Sequence, residues 1–281
     1  MISRRALLRG GLGGVGAAAA MGGAGYALVQ NGVLPGKVRL DRALGRCGDA
    51  PAPPAASVTV QRLTWQSARR RARVTATVVP PAEGRSPRGL PVVVALHGSG
   101  ESGASAVETL ALDHYLPDAV ANGGVPPFVL VAVDGGPDSY WHPRADGDDP
   151  IGMIVEELLP RMRGRGARTD RVGAIGWSMG GYGALVLTRR LGARRVAAVV
   201  ASSPALFPSY QDARSANPRA FDGVPLRVDC GTSDPFADAV RGFRDRVRPE
   251  GSLSGGCHDG AFWRTRLRPQ LAFLGHHLAR R

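Results

Sequence analysis

Five short runs of this chain are apolar at nearly every position: Pro91–Leu96, Phe128–Val133, Val172–Ile175, Val196–Ala201 and Leu226–Val228. A strand that is apolar on both faces belongs in a sheet covered by helices on both sides. Helical patterns separate and follow these runs, over about Ala104–Asn122, Ile151–Arg163, Met179–Leu191, Pro235–Val247 and Ala261–Leu278. The last contains Pro269, a candidate break. Strand and helix alternate in turn, which predicts a mostly parallel sheet wrapped by helices, an α/β architecture. Upstream, Val58–Trp65 and Arg73–Val79 flank a charged turn and predict an antiparallel hairpin at the sheet's leading edge.

The chain before residue 58 has another character. Ser3-Arg4-Arg5-Ala6-Leu7-Leu8-Arg9 is a twin-arginine pattern, followed by a weakly apolar Gly/Ala stretch to about Val29. A charged start, an uncharged middle and small residues beyond predict an export signal of the twin-arginine type. Glycine enters a bilayer less favourably than leucine, which suits such a signal better than a permanent span, although the length also allows an uncleaved anchor. Residues 1–29 are therefore read as signal or anchor. Residues 30–57, with the Pro/Ala-rich stretch Ala50–Ala56, are read as linker, and residues 58–281 as one catalytic domain. The expected location is secreted or cell-envelope, with membrane or envelope association in the anchored case.

Composition adds limits rather than a function. The net charge is +13, carried almost wholly by arginine, with Lys37 the single lysine. Loss of Arg4, Arg5 and Arg9 with the signal would leave +10. A nucleic-acid protein gathers its charge in a patch or arm beside aromatics. Here the arginines are scattered, with one short run at Arg69-Arg70-Arg71, so no nucleic-acid partner is expected. Three cysteines, Cys47, Cys230 and Cys257, fit an exported protein with at most one internal disulfide and one leftover thiol. None stands at metal-binding spacing, and no metal site is expected.

In a parallel sheet ligands bind beyond the carboxyl ends of the strands, so the polar residues there carry the chemistry. Gly176-Trp177-Ser178-Met179-Gly180 reads Gly-x-Ser-x-Gly between a buried strand and a helix. Such a turn pushes the serine hydroxyl into the open, and the small flanking residues permit its tightness. A serine is a poor nucleophile until a base takes its proton, and a histidine base needs a carboxylate to set its tautomer. Asp234 follows the 226–228 strand and His258 lies before the terminal helix, so the three occur in the order Ser, Asp, His. Each also has a plainer use: Ser178 as a small turn residue, Asp234 as a helix cap, His258 as a loop histidine. Asp229 and Asp238 are nearby rivals for the acid.

The attacked carbonyl develops negative charge and needs preorganised donors. The amide of Met179, after the nucleophile and at a helix N-terminus, is one candidate. The amide of Ser99, in His97-Gly98-Ser99-Gly100 after the 91–96 strand, is the other. His97 is read as a brace for this loop or a substrate neighbour. Tyr140, Trp141 and Phe207 are candidate walls of the cleft, and Trp177 is a further candidate substrate neighbour.

These motifs together resemble the α/β-hydrolase superfamily, in its putative-esterase (esterase D-like) branch, which is similar to the bacterial mycolyltransferases. The resemblance runs over roughly residues 58–278. It rests on the loop at 97–100, Asp134-Gly135-Gly136 with Tyr140-Trp141, Glu156–Pro160, Gly176–Gly183, Gly231–Asp234, and His258 with Phe262-Trp263-Arg264. It implies an α/β-hydrolase fold, with Ser178 as nucleophile, Asp234 as acid and His258 as base. It also implies hydrolysis or transfer of carboxylic acyl groups on a small-molecule or lipid ester, without a cofactor. The main expectation is an exported serine esterase. An acyltransferase acting on a sugar acceptor is the alternative, and a catalytically silent envelope-binding domain would require a broken triad. Because the acid and base loops meet in this fold, Cys230 and Cys257 are expected to lie close enough to bridge, with Cys47 competing for either. Only about two dozen residues, Ser202–Val224, are available to roof the site, so a shallow cleft is expected.

Overall fold

The computed structural model describes residues 37–207 and 218–280. The twin-arginine segment, residues 1–29, lies outside them, as does part of the short insertion between Ser202 and Val224. The chain divides into two compact units, Met1–Arg46 and Cys47–Arg281. In the first, helix α1 (Lys37–Ala43) occupies part of the stretch read as linker, closed by an Arg46–Asp41 ion pair at 3.1 Å. Among the described residues no helix is long and apolar enough to cross a membrane.

The second unit is built on an eight-stranded sheet in the order β1-β2-β4-β3-β5-β6-β7-β8. The strands are β1 (Gln61–Ser67), β2 (Ala72–Val79), β3 (Pro91–Leu96), β4 (Val129–Val133), β5 (Arg168–Trp177), β6 (Val196–Ser202), β7 (Leu226–Gly231) and β8 (Leu253–Ser254). β1 and β2 form the expected hairpin, β2 meets β4 antiparallel, and every other pairing is parallel. Every residue of β3, β4 and β6 is buried, as unbroken apolar runs require. Two apolar layers result, one on each face. One holds Val92, Val94 and Leu96 with Tyr182 and Leu185; the other holds Val93 and Ala95 with Leu267, Leu271 and Leu274.

The helices depart from expectation in three places. The stretch at 104–122 is two helices, α2 (Gly103–Leu110) and α3 (Leu112–Asn122), parted by Ala111 at φ 52°. Neither Gly nor Pro announces that break. The 151–163 stretch contains α4 (Pro150–Met153) and α5 (Leu159–Gly164) around a π-helical turn at Ile154–Leu158. Pro160 has no N–H to give Glu156, and the Leu159 amide reaches back to the Ile154 carbonyl instead. After α6 (Met179–Leu191) and α7 (Ala237–Val247) comes α8 (Gly260–Ala279), which runs unbroken through Pro269. Pro269 and Thr265, whose carbonyl it leaves unmatched, both face solvent, where water serves instead.

Candidate active site

Ser178 is the single residue between β5 and α6. Its backbone sits at φ 53°, ψ −119°, a conformation that disfavours any residue with a Cβ. Three hydrogen bonds hold it there: its amide donates to Ser202 O at 3.0 Å, and its carbonyl accepts from Tyr182 N at 3.1 Å and Ala205 N at 3.0 Å. The turn closes because Gly176 and Gly180 have no side chain. A Cβ on Gly176 would strike the Gly180 carbonyl, and one on Gly180 would strike the carbonyls of Leu96 and His97.

The serine hydroxyl lies 2.8 Å from His258 Nε2, and His258 Nδ1 lies 2.8 Å from Asp234 Oδ2. Facing a carboxylate, Nδ1 carries the proton and donates it, which leaves the Nε2 lone pair for the serine O–H. The Asp234 side chain is buried, while His258 is part-exposed. Its second oxygen, Oδ1, accepts from Phe236 N at 2.8 Å, so Asp234 shapes the turn before α7 and meets the imidazole at once. The edges of Phe236 and Trp263 pack on the imidazole, with centroids 5.3 and 5.2 Å away. The rival acids are engaged elsewhere. Asp229 is wholly buried between Arg227, Gln270 and Ser252 N; Asp238 is exposed and pairs with Arg241.

The loop after β3 presents one amide by elimination. Gly98 N donates to Glu101 Oε2 at 2.8 Å, Gly100 N to Pro137 O at 2.8 Å and Glu101 N to Gly98 O at 3.3 Å. The Ser99 hydroxyl donates to Asp138 Oδ1 at 2.5 Å. Among the described residues the Ser99 amide has no such partner. The Met179 amide opens α6, where the first N–H groups have no intrahelical acceptor.

His97 braces this loop from within. Gly135 N donates to its Nε2 at 2.9 Å, so Nδ1 bears the proton and gives it to Gly98 O at 2.8 Å. Burial pushes its pKa below the ordinary histidine value, which keeps the ring neutral.

Three of the expected substrate neighbours are not at the cleft. His97, Trp141 and Trp177 are 1%, 0% and 0% exposed. Trp141 is sealed in because its indole fills the space left by Gly135 and Gly183, where a Cβ on either would strike it. Trp177 is the last residue of β5 and points into the apolar layer against α8. Tyr140 does remain part-exposed, its amide 3.3 Å from Met179 Sδ and its ring 5.8 Å from Phe207. Phe207 in turn lies 4.9 Å from Phe236, so part-exposed aromatics run from Tyr140 to the imidazole. Phe236 went unnoticed in the sequence, though it stands two residues after Asp234.

The expected Cys230–Cys257 disulfide does not form. Cys257 is bonded to Cys47, with Cα atoms 4.8 Å apart, and Cys230 is a free, buried thiol. Strand alternation explains it: Cys230 shares a face of β7 with Leu226 and Val228 and packs into their apolar layer with Ala237 and Val240. Burial pushes that thiol far above the usual range, so it has no thiolate with which to compete. The same bridge removes the metal-ligand set that converges among the described residues, Cys47, Cys257 and Asp259, since bonded sulfurs offer no thiolate.

No curated protein matches the sequence. Among solved structures the fold is similar to a ferulic acid esterase, at TM-score 0.70 and 20% identity over 78% of this chain and 98% of that one. It is also similar to fluorophosphonate-binding serine hydrolase F of Staphylococcus aureus, at TM-score 0.64 and 16% identity over 77% and 98%. An S-formylglutathione hydrolase from Agrobacterium tumefaciens aligns at TM-score 0.60 and 19% identity over 78% and 95%. Residues 67–272 match the family model described as "Putative esterase". With that match spanning most of its length, the chain belongs to the putative esterase family, as a carboxylic ester hydrolase of the α/β-hydrolase fold.

Proposed function

We propose that the protein is an exported serine esterase that cleaves carboxylic esters through an acyl-enzyme on Ser178. The observation that carries this is the unbroken relay Ser178–His258–Asp234, each link 2.8 Å, ending at a strained turn at the N-terminus of α6. His258 takes the hydroxyl proton as Ser178 attacks the ester carbonyl. Asp234 holds the imidazole in the required tautomer and stabilises the imidazolium. The Met179 and Ser99 amides receive the developing oxyanion. The proton passes from His258 to the leaving alcohol, and water activated by the same imidazole releases the acid.

The twin-arginine pattern motivates export, and the Cys47–Cys257 disulfide supports it, because structural disulfides persist in oxidising compartments. The row Tyr140, Phe207, Phe236 supports an apolar, aromatic group on the substrate. The test is purified protein incubated with aryl and alkyl p-nitrophenyl esters, with and without a sugar acceptor. Nitrophenol release without acceptor, fastest for the aryl esters, is expected. Acyl-sugar outpacing hydrolysis would replace the esterase reading with a transferase. No release, together with no labelling of Ser178 by a fluorophosphonate, would refute both.

A further inference from the structure

The base, His258, stands in a loop that is entered through a glycine pair. Gly255 and Gly256 precede it, and Gly256 has φ 143°, a region glycine alone enters freely. Packing requires glycine at Gly256 alone of the pair: the Phe262 ring covers it, and Gly231 backs onto its carbonyl so closely that neither Gly231 nor Gly256 admits a Cβ. Downstream, His258 is well held, because Asp259 caps α8 by accepting from Phe262 N at 3.1 Å. Upstream, two backbone hydrogen bonds tie the segment to the acid turn, Thr232 N to Ser254 O at 2.9 Å and Ser233 N to Gly256 O at 3.0 Å. The other constraint is covalent: Cys257, adjoining His258 and wholly buried, is bonded to Cys47.

Cys47 belongs to a strap without regular structure that runs to Val58 and is itself pinned on α3. Pro54 O lies 3.0 Å from His114 Nδ1, and Val58 N donates to Asp113 O at 3.1 Å. We propose that the Cys47–Cys257 disulfide is a positioning device for catalysis, holding the His258 imidazole in line between Asp234 and Ser178 against the slack of the Gly255-Gly256 pair. Cys47 and Cys257 thus act on the reaction through His258, without touching substrate. The inference rests on the reading of His258 as the base.

The test compares wild type, Cys47→Ala and Cys47→Ala/Gly255→Ala. A methyl group at Gly255 meets nothing within 4 Å, and its φ is not in the left-handed region, so alanine there stiffens the hinge without strain. Folded fraction is measured by circular dichroism at the assay temperature, and kcat and KM with a p-nitrophenyl ester. The rate of Ser178 labelling by a fluorophosphonate is followed in parallel. Losing alignment by about an ångström costs on the order of 10–100-fold. Cys47→Ala is therefore expected to lose kcat and labelling rate on that scale with KM nearly unchanged, and Gly255→Ala to restore part of both.

Should Cys47→Ala fail to fold, the same readings are made on wild type during brief reduction with dithiothreitol, while circular dichroism remains native. Wild-type kcat in a folded, bridge-free protein overturns the proposal. So does a loss that merely tracks the unfolded fraction, or one that Gly255→Ala leaves untouched. An inert wild type that no fluorophosphonate labels would instead overturn the esterase reading, a distinct outcome.

Discussion

Ser178 links function to a measurable cost in stability. At φ 53°, ψ −119° its Cβ crowds its own backbone, and such residues cost about 1–3 kcal/mol each. Ser178→Ala and Ser178→Gly both delete the hydroxyl and its 2.8 Å bond to His258, so that loss cancels when the two variants are compared. They differ in strain: alanine keeps the Cβ, while glycine occupies this conformation freely. Against the relief stands the extra freedom glycine gives the unfolded chain, about 0.4–1 kcal/mol. Subtraction of the midpoints, about 2 less about 0.7, leaves Ser178→Gly more stable than Ser178→Ala by about 1.3 kcal/mol. In a domain of this size that is a rise in melting temperature of about 3–5 °C.

Urea titration of both variants, with the disulfide intact, reads the difference as a shift in midpoint at constant slope. Both must be inactive toward esters. A glycine variant equal to or less stable than the alanine variant would show that the turn is not strained. Retained turnover in either would remove Ser178 as nucleophile.

Other expectations follow from the same geometry. Asp234→Asn, which lets the imidazole take the wrong tautomer, should lower kcat by about 10⁴-fold while the melting temperature barely moves; a near-silent change would disqualify it as the acid. Asp229→Ala should do the opposite, costing about 3–5 kcal/mol by stranding the part-buried Arg227 and the buried Gln270, with kcat of the folded protein preserved. Gly180→Ala should abolish stable folding, because its methyl group would strike the Leu96 and His97 carbonyls; soluble, active protein would show that the turn can open. Reporter fusions to residues 1–29 should leave the cytoplasm, and Arg4→Lys with Arg5→Lys should stop them; unchanged export would indicate another route.

The sheet was readable from unbroken apolar runs, because burial on both faces leaves a six-residue strand such as Pro91–Leu96 no polar alternative. The meeting of Ser178, Asp234 and His258 was readable for a related reason: parallel strands all end at one edge, so polar residues just past Trp177 and Gly231 must converge. Features set by long-range packing were hidden. The break at Ala111 has no local signal, and the burial of Trp141 depends on Gly135 and Gly183, far apart in sequence. The disulfide expectation failed because proximity of two loops does not fix side-chain direction. Alternation along β7 turns Cys230 into the core, while Cys47, in a stretch that reads as linker, supplies the true partner.

His97 offers a final, separable test of how the oxyanion loop is built. Its two ring nitrogens are committed, one accepting from Gly135 N and one donating to Gly98 O, and burial depresses its pKa. A second proton would convert Nε2 into a donor facing another donor. Above pH 6.5, the ordinary histidine value, both folded and unfolded chains hold the ring neutral, and its contribution to stability is fully present. As pH falls below that value the unfolded chain takes the proton first. Stability then declines until the pH reaches the lower folded value, by up to about 1.4 kcal/mol per pH unit for one group. His277, also depressed by burial, contributes in the same direction, so wild type alone does not apportion the loss. Urea midpoints from pH 5 to 8 in His277→Gln should keep most of the decline, whereas His97→Gln should flatten it and also lower kcat by loosening the Ser99 amide. A His97 variant with the wild-type pH dependence would mean that this ring titrates alike in the folded and unfolded chains, which would refute the depressed value and the donor–acceptor arrangement behind it.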